Sequence, residues 1–221
     1  MTGIAHNLAL VRNSLPEGVR LVAVSKNQPP ARILEAYRAG QRIFGENRVQ
    51  ELMSKQGALP DDIRWHLIGH LQTNKVKLVV PLVELIHSID SEKLMREVSK
   101  VAQSLGRVVD CLLQVHIAEE ETKFGLDEEE LARILDQRAA GHFPGVAVRG
   151  LMGMATFTDD LSQVRKEFRT LRNLFHSIKE RYFSGDGGFR ELSMGMSGDY
   201  PIAIEEGSTL VRIGTVIFGE R

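Results

Sequence analysis

Short apolar runs alternate with longer amphipathic stretches along the whole chain. Eight runs stand out: VRLVAVS (19–25), RIFGE (42–46), IRWHLIG (63–69), LVELIHSID (82–90), RVVDCLLQVHI (107–117), VAVRGLMGMA (146–155), ELSMGM (191–196) and LVRIGTVIF (210–218). They are rich in Val, Ile and Leu and lack clean polar alternation, the pattern of strands covered by helices on both faces of a parallel sheet. The stretches between them read as helices. In 159–183 the residues Leu161, Val164, Phe168, Leu171, Phe175, Ile178 and Tyr182 advance by three and four and form one stripe. Segment 127–140 opens with Asp127 and Glu130, a capping-box spacing, and 91–105 follows Ser91 and stops at Gly106. Pro29–Pro30 starts the first crossover helix and Gly40 ends it. Eight strands separated by helices, with no linker, predict an α/β fold: a (β/α)8 TIM barrel in a single domain over 1–221, with residues 2–15 as an extra N-terminal helix. An open doubly wound sheet is the alternative, because periodicity does not report closure.

Composition narrows the class. Of 221 residues 43% are hydrophobic and 26% charged, which excludes a disordered chain. With 28 Lys and Arg against 29 Asp and Glu the net charge is −1, so no global basic field points to nucleic acid or anionic lipid. The one cysteine, Cys111, excludes an intrachain disulfide and a Cys-rich metal site and fits a reducing compartment. No basic start leads into a long apolar run, and no 18-residue apolar stretch occurs. The expectation is a soluble, cytoplasmic protein.

In a barrel of this kind chemistry sits at the C-terminal ends of the strands. Lys26 ends an apolar strand in phase with Val22 and Val24, so if those face the interior the ammonium does too. Apolar walls disfavour its charged form and leave a nucleophilic amine suited to bonding a carbonyl; the plain alternative is a lysine that snorkels to solvent. Ser197 and Gly198 follow strand seven, and Gly214 and Thr215 interrupt strand eight. Small residues and open N–H groups there are where barrels often bind phosphate, although glycines at these points also serve as closing kinks. Arg212, between Val211 and Ile213, is placed to pair with a ligand acceptor or with a carboxylate such as Glu191 or Asp199. Asn47 suits orienting a ligand oxygen, but its spacing favours a helix N-cap at the start of 47–58.

Other signals are weaker. His66 and His70 are four apart at a strand end, where that spacing does not put both on one face as a helix would. The acidic runs 119–121 and 128–130 read as a loop and a helix N-terminus facing water, and Cys111 as a buried small hydrophobe. SGDGGFR (184–190) reads as a surface loop.

The segments AVSKNQPP, FGENRVQE, WHLIGHLQTNK, ETKFGL, GLMGMA and LSMGMSGDYPIAIEEGSTLVRIGTVIFG occur in this order. Together they resemble the pyridoxal phosphate homeostasis proteins (the YggS/PROSC type), from about residue 19 to the end. The resemblance implies the alanine-racemase-like barrel, fold type III among proteins of pyridoxal 5'-phosphate (PLP). It implies Lys26 as the residue that holds PLP as a Schiff base. Ser197, Gly214 and Thr215, with the Met196 backbone beside them, match the phosphate-contacting positions. Arg212 stands where an arginine faces the pyridine nitrogen; Asn47 and Met152–Met154 match residues that line the ring. An arginine cannot give up its proton, so one facing that nitrogen keeps it unprotonated and the ring a weaker electron sink.

Alanine racemases with this barrel carry a further β-domain and use a tyrosine base from a partner subunit. Here the chain ends just after the last strand, and its tyrosines are Tyr37, Tyr182 and Tyr200. The expectation is therefore a monomer without that domain, with an open ligand and no opposite-face base. It would serve intracellular PLP homeostasis, exchanging the cofactor transiently with apo-enzymes, with no robust catalysis, no metal, no nucleic acid and no membrane. Lys75, Lys77 or Lys123 could accept the cofactor during exchange. The alternatives are a weak PLP-dependent amino-acid racemase or decarboxylase and, from the bare residue pattern, a lysine-dependent aldolase for a sugar phosphate.

Overall fold

The computed structural model describes residues 3–119 and 124–219. Eight strands, β1 (Arg20–Val24), β2 (Ile43–Glu46), β3 (Arg64–Leu67), β4 (Leu85–Ile89), β5 (Val109–Gln114), β6 (Val146–Met152), β7 (Glu191–Ser193) and β8 (Leu210–Ile213), pair in parallel in chain order. The last returns to the first, with Leu21 opposite Val211 and Ala23 opposite Ile213, so the sheet closes and the open alternative falls. The helices are α1 (Ile4–Ser14), α2 (Pro30–Arg38), α3 (Val49–Gln56), α4 (Val76–Val79, after a 3-10 turn at Thr73–Lys75), α5 (Glu92–Ser104), α6 (Glu128–Ala139), α7 (Leu161–Tyr182), α8 (Tyr200–Glu205) and α9 (Thr215–Phe218).

Local chemistry sets these boundaries. Ser91 Oγ accepts from Leu94 N at 3.3 Å to start α5. At α6, Glu130 N donates to Asp127 Oδ1 and Asp127 N to Glu130 Oε2, a complete capping box. Pro30 opens α2, and Gly40 follows it at φ +92°. In α7 the stripe begins at Val164, since Leu161 lies in the open, and Leu105, at the end of α5, is likewise exposed. Two expectations are corrected. LVRIGTVIF is a strand only to Ile213: Gly214 breaks the extension, and Thr215–Phe218 turn helical to bury Ile217 and Phe218 beside α1, where Asn7 Nδ2 donates to Ile217 O. Asn47 does not cap α3, whose N-cap is Arg48 with no side-chain bond.

The core has two compartments. Between barrel and helices lie residues such as Leu21, Phe44, Ile86, Leu113, Leu151 and Val211. Inside the barrel Val22, Ile43, Leu85, Leu112, Met152 and Leu210 form a second cluster, the inward side chains that fill such barrels rather than leaving a pore. Gly150 sits at an irregularity where β5 pairs β6. A Cβ there would come 1.7 Å from Glu191 O, and its φ is +155°, so only glycine lets β6 and β7 meet.

Candidate functional site

Lys26 lies just beyond β1 in the turn that Gln28 N closes onto Ser25 O at 3.0 Å. Its side chain is half-buried and makes no hydrogen bond or ion pair among the described residues. The turn is held from beneath. Asn27 adopts φ +60°, a left-handed conformation that its short polar side chain tolerates, and its N–H donates to Glu51 Oε2 at 2.6 Å. Lys55 reaches back from α3 and spends all three ammonium protons, on Ser25 O (2.9 Å), Glu46 Oε1 (2.8 Å) and Glu51 Oε2 (3.0 Å). Ser25 Oγ donates to the same Glu46 oxygen at 2.6 Å. Burial pushes the Glu46 carboxyl up, against the pull of Lys55 and Ser25. Burial also works to raise Glu51, but Asn27 N–H, Lys55 and Arg48 together outweigh it and hold Glu51 below the usual carboxylate range.

The β7 and β8 ends form a corner beside that turn. Gly214 N donates to Ser197 Oγ at 3.3 Å, and a Cβ on Gly214 would lie 3.1 Å from Val24 O, so the corner abuts the end of β1. The first bond of α9 is Ile217 N to Gly214 O; the N–H groups of Thr215 and Val216 precede it, as the leading donors of any helix do. Met196 N is engaged with Asp199 Oδ1 at 2.5 Å, so its N–H is not open for a ligand here. Gly195 at φ +92° lets the corner pass Ala203, whose Cβ would be 2.6 Å from an added one.

Arg212 is 4% exposed, on β8, and opposite Val22 of β1. It donates to Ser193 Oγ at 2.6 Å and to Gly153 O at 3.1 Å. Glu191 is not its partner: that carboxylate pairs with Arg20 at 2.6 Å and Arg190 at 3.3 Å. Burial draws the Arg212 guanidinium down to about 10, offset in part by Asp199. The Gly153 contact ties the Met152–Met154 segment to Arg212. Asn47, after β2, is half-buried with no side-chain hydrogen bond among the described residues, and the pairing of Val24 with Gly45 sets its segment beside the Lys26 turn. Lys26, Asn47, Met152–Met154, Met196, Ser197, Arg212, Gly214 and Thr215 therefore share one end of the barrel.

Lys55 of this network and His87, whose Nδ1 lies 2.9 Å from the Ser193 Oγ that Arg212 bonds, were not singled out from the sequence. Lys55 reads as an i,i+4 partner of Glu51 on a helix surface, and only the return of α3 against β1 and β2 buries it. His87 reads as one polar residue in an apolar strand. Its signal is phase, since it follows Leu85 by two and Leu85 faces the barrel interior.

At the opposite end a cavity of about 310 Å³ is lined by Arg20, Arg64, Arg149 and Arg190. Each guanidinium is ion-paired, with Glu191, Glu84, Asp110 and again Glu191. His70 pairs with Asp90 at 2.7 Å and stacks on Phe124, apart from His66 in the interior. Cys111 is buried, and burial pushes its thiol up. Among the described residues no group of three His, Cys, Asp or Glu is arranged to hold a metal, and no helix is long and apolar enough to cross a membrane. The 184–190 segment is a loop; the acidic run 119–121 and Lys123 fall mostly or wholly outside the described residues.

The sequence profile of the family described as "Alanine racemase, N-terminal domain" matches residues 1–221. A pyridoxal phosphate homeostasis protein of Aquifex aeolicus is 44% identical over 203 residues, 91% of this chain and 87% of that one. One of Haemophilus influenzae is 36% identical over 234 residues, 99% of this chain and 96% of the other. Among solved structures, PipY of Synechococcus elongatus with PLP bound superposes with a TM-score of 0.90 at 41% identity, over 98% of this chain and 100% of that one. Alanine racemase of Bartonella henselae shares the fold with a TM-score of 0.74 at 16% identity, over 98% of this chain and 58% of the racemase.

Proposed function

The chain belongs to the pyridoxal phosphate homeostasis proteins, within the alanine racemase N-terminal-domain family, and from that premise we propose that it binds PLP covalently through the Lys26 amine and passes it to apo-enzymes. The observation that carries this reading is the convergence of three unlike features at one barrel end. These are a lysine with no partner among the described residues on a clamped turn, a corner of small residues with leading helix N–H groups, and a buried arginine held at hydrogen-bond distance by neutral oxygens.

That donor set fits the cofactor. The N–H groups of Thr215 and Val216, with the Ser197 hydroxyl, offer donors to a phosphate in the corner that Gly214 shapes, and Arg212 offers a fixed positive donor to a ring nitrogen. Asn47 and Met152–Met154 line the space between. When bound, PLP supplies an aldehyde that condenses with the Lys26 amine, releasing one water, and a ring that absorbs visible light. The residues here do the holding: the Lys55 network fixes the turn, Arg212 keeps its proton against the ring nitrogen, and the corner anchors the charged tail. Holding, rather than proton exchange on an amino acid, is further supported by the tyrosines. Their hydroxyls bond Asp62 (Tyr37, 2.7 Å), Asp136 (Tyr182, 2.9 Å) and Ser14 (Tyr200, 3.2 Å).

The test is transfer. The protein is loaded with PLP, freed of excess cofactor and mixed with an apo-enzyme. Recovery of that enzyme's activity in step with loss of the visible band supports the proposal. A loaded protein that keeps its band and reactivates nothing counts against exchange. Steady entry of solvent deuterium at the α-carbon of an added amino acid, abolished by Lys26→Ala, would favour the racemase reading instead.

A further inference from the structure

A chain of buried polar groups runs through the barrel between its two ends. Arg212 Nη1 donates to Ser193 Oγ at 2.6 Å, Ser193 Oγ lies 2.9 Å from His87 Nδ1, and His87 Nε2 lies 2.9 Å from His66 Nδ1. The two imidazoles and the serine are fully buried. The far atom, His66 Nε2, has no hydrogen-bond partner among the described residues and stands 3.9 Å from Glu84 Oε1 at the ion-paired mouth.

The direction of the chain follows from its first member. Arginine has donors only, so Ser193 Oγ must accept from it, and the hydroxyl proton is then satisfied only by donating to His87 Nδ1. His87 carries its proton on Nε2 and gives it to His66 Nδ1; His66 carries its own on Nε2, facing Glu84. The reverse order strands the buried serine proton without an acceptor and turns a bare imidazole lone pair toward the Glu84 carboxylate. The first is costly because Ser193 is fully buried, and the second sets a lone pair against a negative charge. Burial, the first cause for each, keeps both imidazoles below the ordinary histidine range, hence neutral. Arg64 and Arg20 near His66, and Arg212 near His87, add to the effect, while Glu84 opposes it at His66.

We infer that His66, His87 and Ser193 are positioning residues for Arg212, a one-way donor chain that fixes the plane of the guanidinium and hence where its remaining N–H groups point. The consequence for a cofactor ring rests on the function proposed above; the immobilisation itself does not.

The experiment therefore has two arms. In 15N-labelled protein without added cofactor, both imidazoles are expected to be neutral with the proton on Nε2, and Arg212 to show separate Nη signals from restricted rotation. Ser193→Ala and His87→Leu break the chain and should merge those signals. His87→Gln keeps the polarity, its amide oxygen accepting from Ser193 and its N–H donating to His66, and should leave them separate. In the second arm, with PLP, the two breaking variants should still be trapped on Lys26 by borohydride. They should also show a shifted absorption maximum and about tenfold weaker binding, the equivalent of one charge-assisted hydrogen bond, with recovery in His87→Gln. Separate Nη signals in both breaking variants, or a His66 proton on Nδ1, overturn the inference. So do unchanged colour and affinity in those variants. If wild type shows the nitrogen signature but binds no PLP, the functional proposal fails and the positioning stands.

Discussion

Lys26 depends on side chains that need never touch a ligand. Lys55 is 6% exposed and Glu46 wholly buried, so removing the Lys55 ammonium leaves the Glu46 carboxylate buried without its ion-pair partner, a loss of about 3 kcal/mol or more, whereas Lys55 keeps Glu51 if Glu46 is removed. Lys55→Met is expected to lower the unfolding free energy measured in urea by that amount and to slow trapping of PLP on Lys26. The double variant with Glu46→Gln should be less harmful than the two single losses added together. Glu84 makes a separate prediction in acid. Burial works to raise its carboxyl, but the bidentate Arg64 guanidinium, with the Nε2–H edge of His66 facing the same group, holds it at about 2. A carboxyl depressed on folding stabilises above its unfolded pKa and loses that contribution as pH falls toward 2. Glu84→Gln should therefore flatten the stability profile over that acid limb, as read by urea unfolding at stepped pH. The residue scale also shows what the sequence could reveal. Lys26 stood out in the sequence as the lysine that closes an apolar run, although the strand itself stops at Val24 and Lys26 follows in the turn. Arg212 was legible as a strand-embedded charge, but its partners were not, since Ser193 and Gly153 lie on other strands. Asn47 was misread as a cap because its spacing matches one; Arg48 takes that position.

At the scale of elements, eight strands and their crossovers could be read from period alone, since inward and outward faces of a barrel are both apolar. The boundary that failed was at β8, where Thr215 and three apolar residues continue the strand pattern yet turn into α9, because the chain folds back at Gly214 onto α1. The bulge at Gly150 was equally silent, for it answers to Glu191 O on the next strand. Gly150→Ala is expected to cost about 3 kcal/mol, from clash and backbone strain together, and to open β6 from β7, visible as lost amide protection along both strands. The buried histidines of β3 and β4 give a pH prediction. Their folded pKa values lie below the ordinary one, so as pH falls the unfolded chain takes up protons first, and stability falls with it. The slope is at most about 1.4 kcal/mol per pH unit for each histidine below about pH 6.5. His87→Gln should remove one such contribution; an unchanged slope would mean His87 is already charged in the folded protein.

For the molecule as a whole, closure is what makes the site: β8 returning to β1 brings the Ser197–Gly214–Thr215 corner against the Lys26 turn. A bound cofactor should stabilise the entire barrel. At a hundredfold excess over its dissociation constant, PLP is expected to add about 2.7 kcal/mol, or about 5–10 °C in Tm for a chain of this length. Lys26→Ala should lose most of that rise while keeping the unliganded Tm, because the Lys26 amine bonds nothing in the described structure. The central claim, that one amine among many holds the cofactor, is tested most directly by incubating the protein with PLP, reducing with borohydride and mapping the modified peptide by mass. A single phosphopyridoxyl group on Lys26, absent from the Lys26→Ala variant, is the result expected. Modification spread over surface lysines such as Lys75 and Lys77, unchanged when Lys26 is replaced, would contradict it.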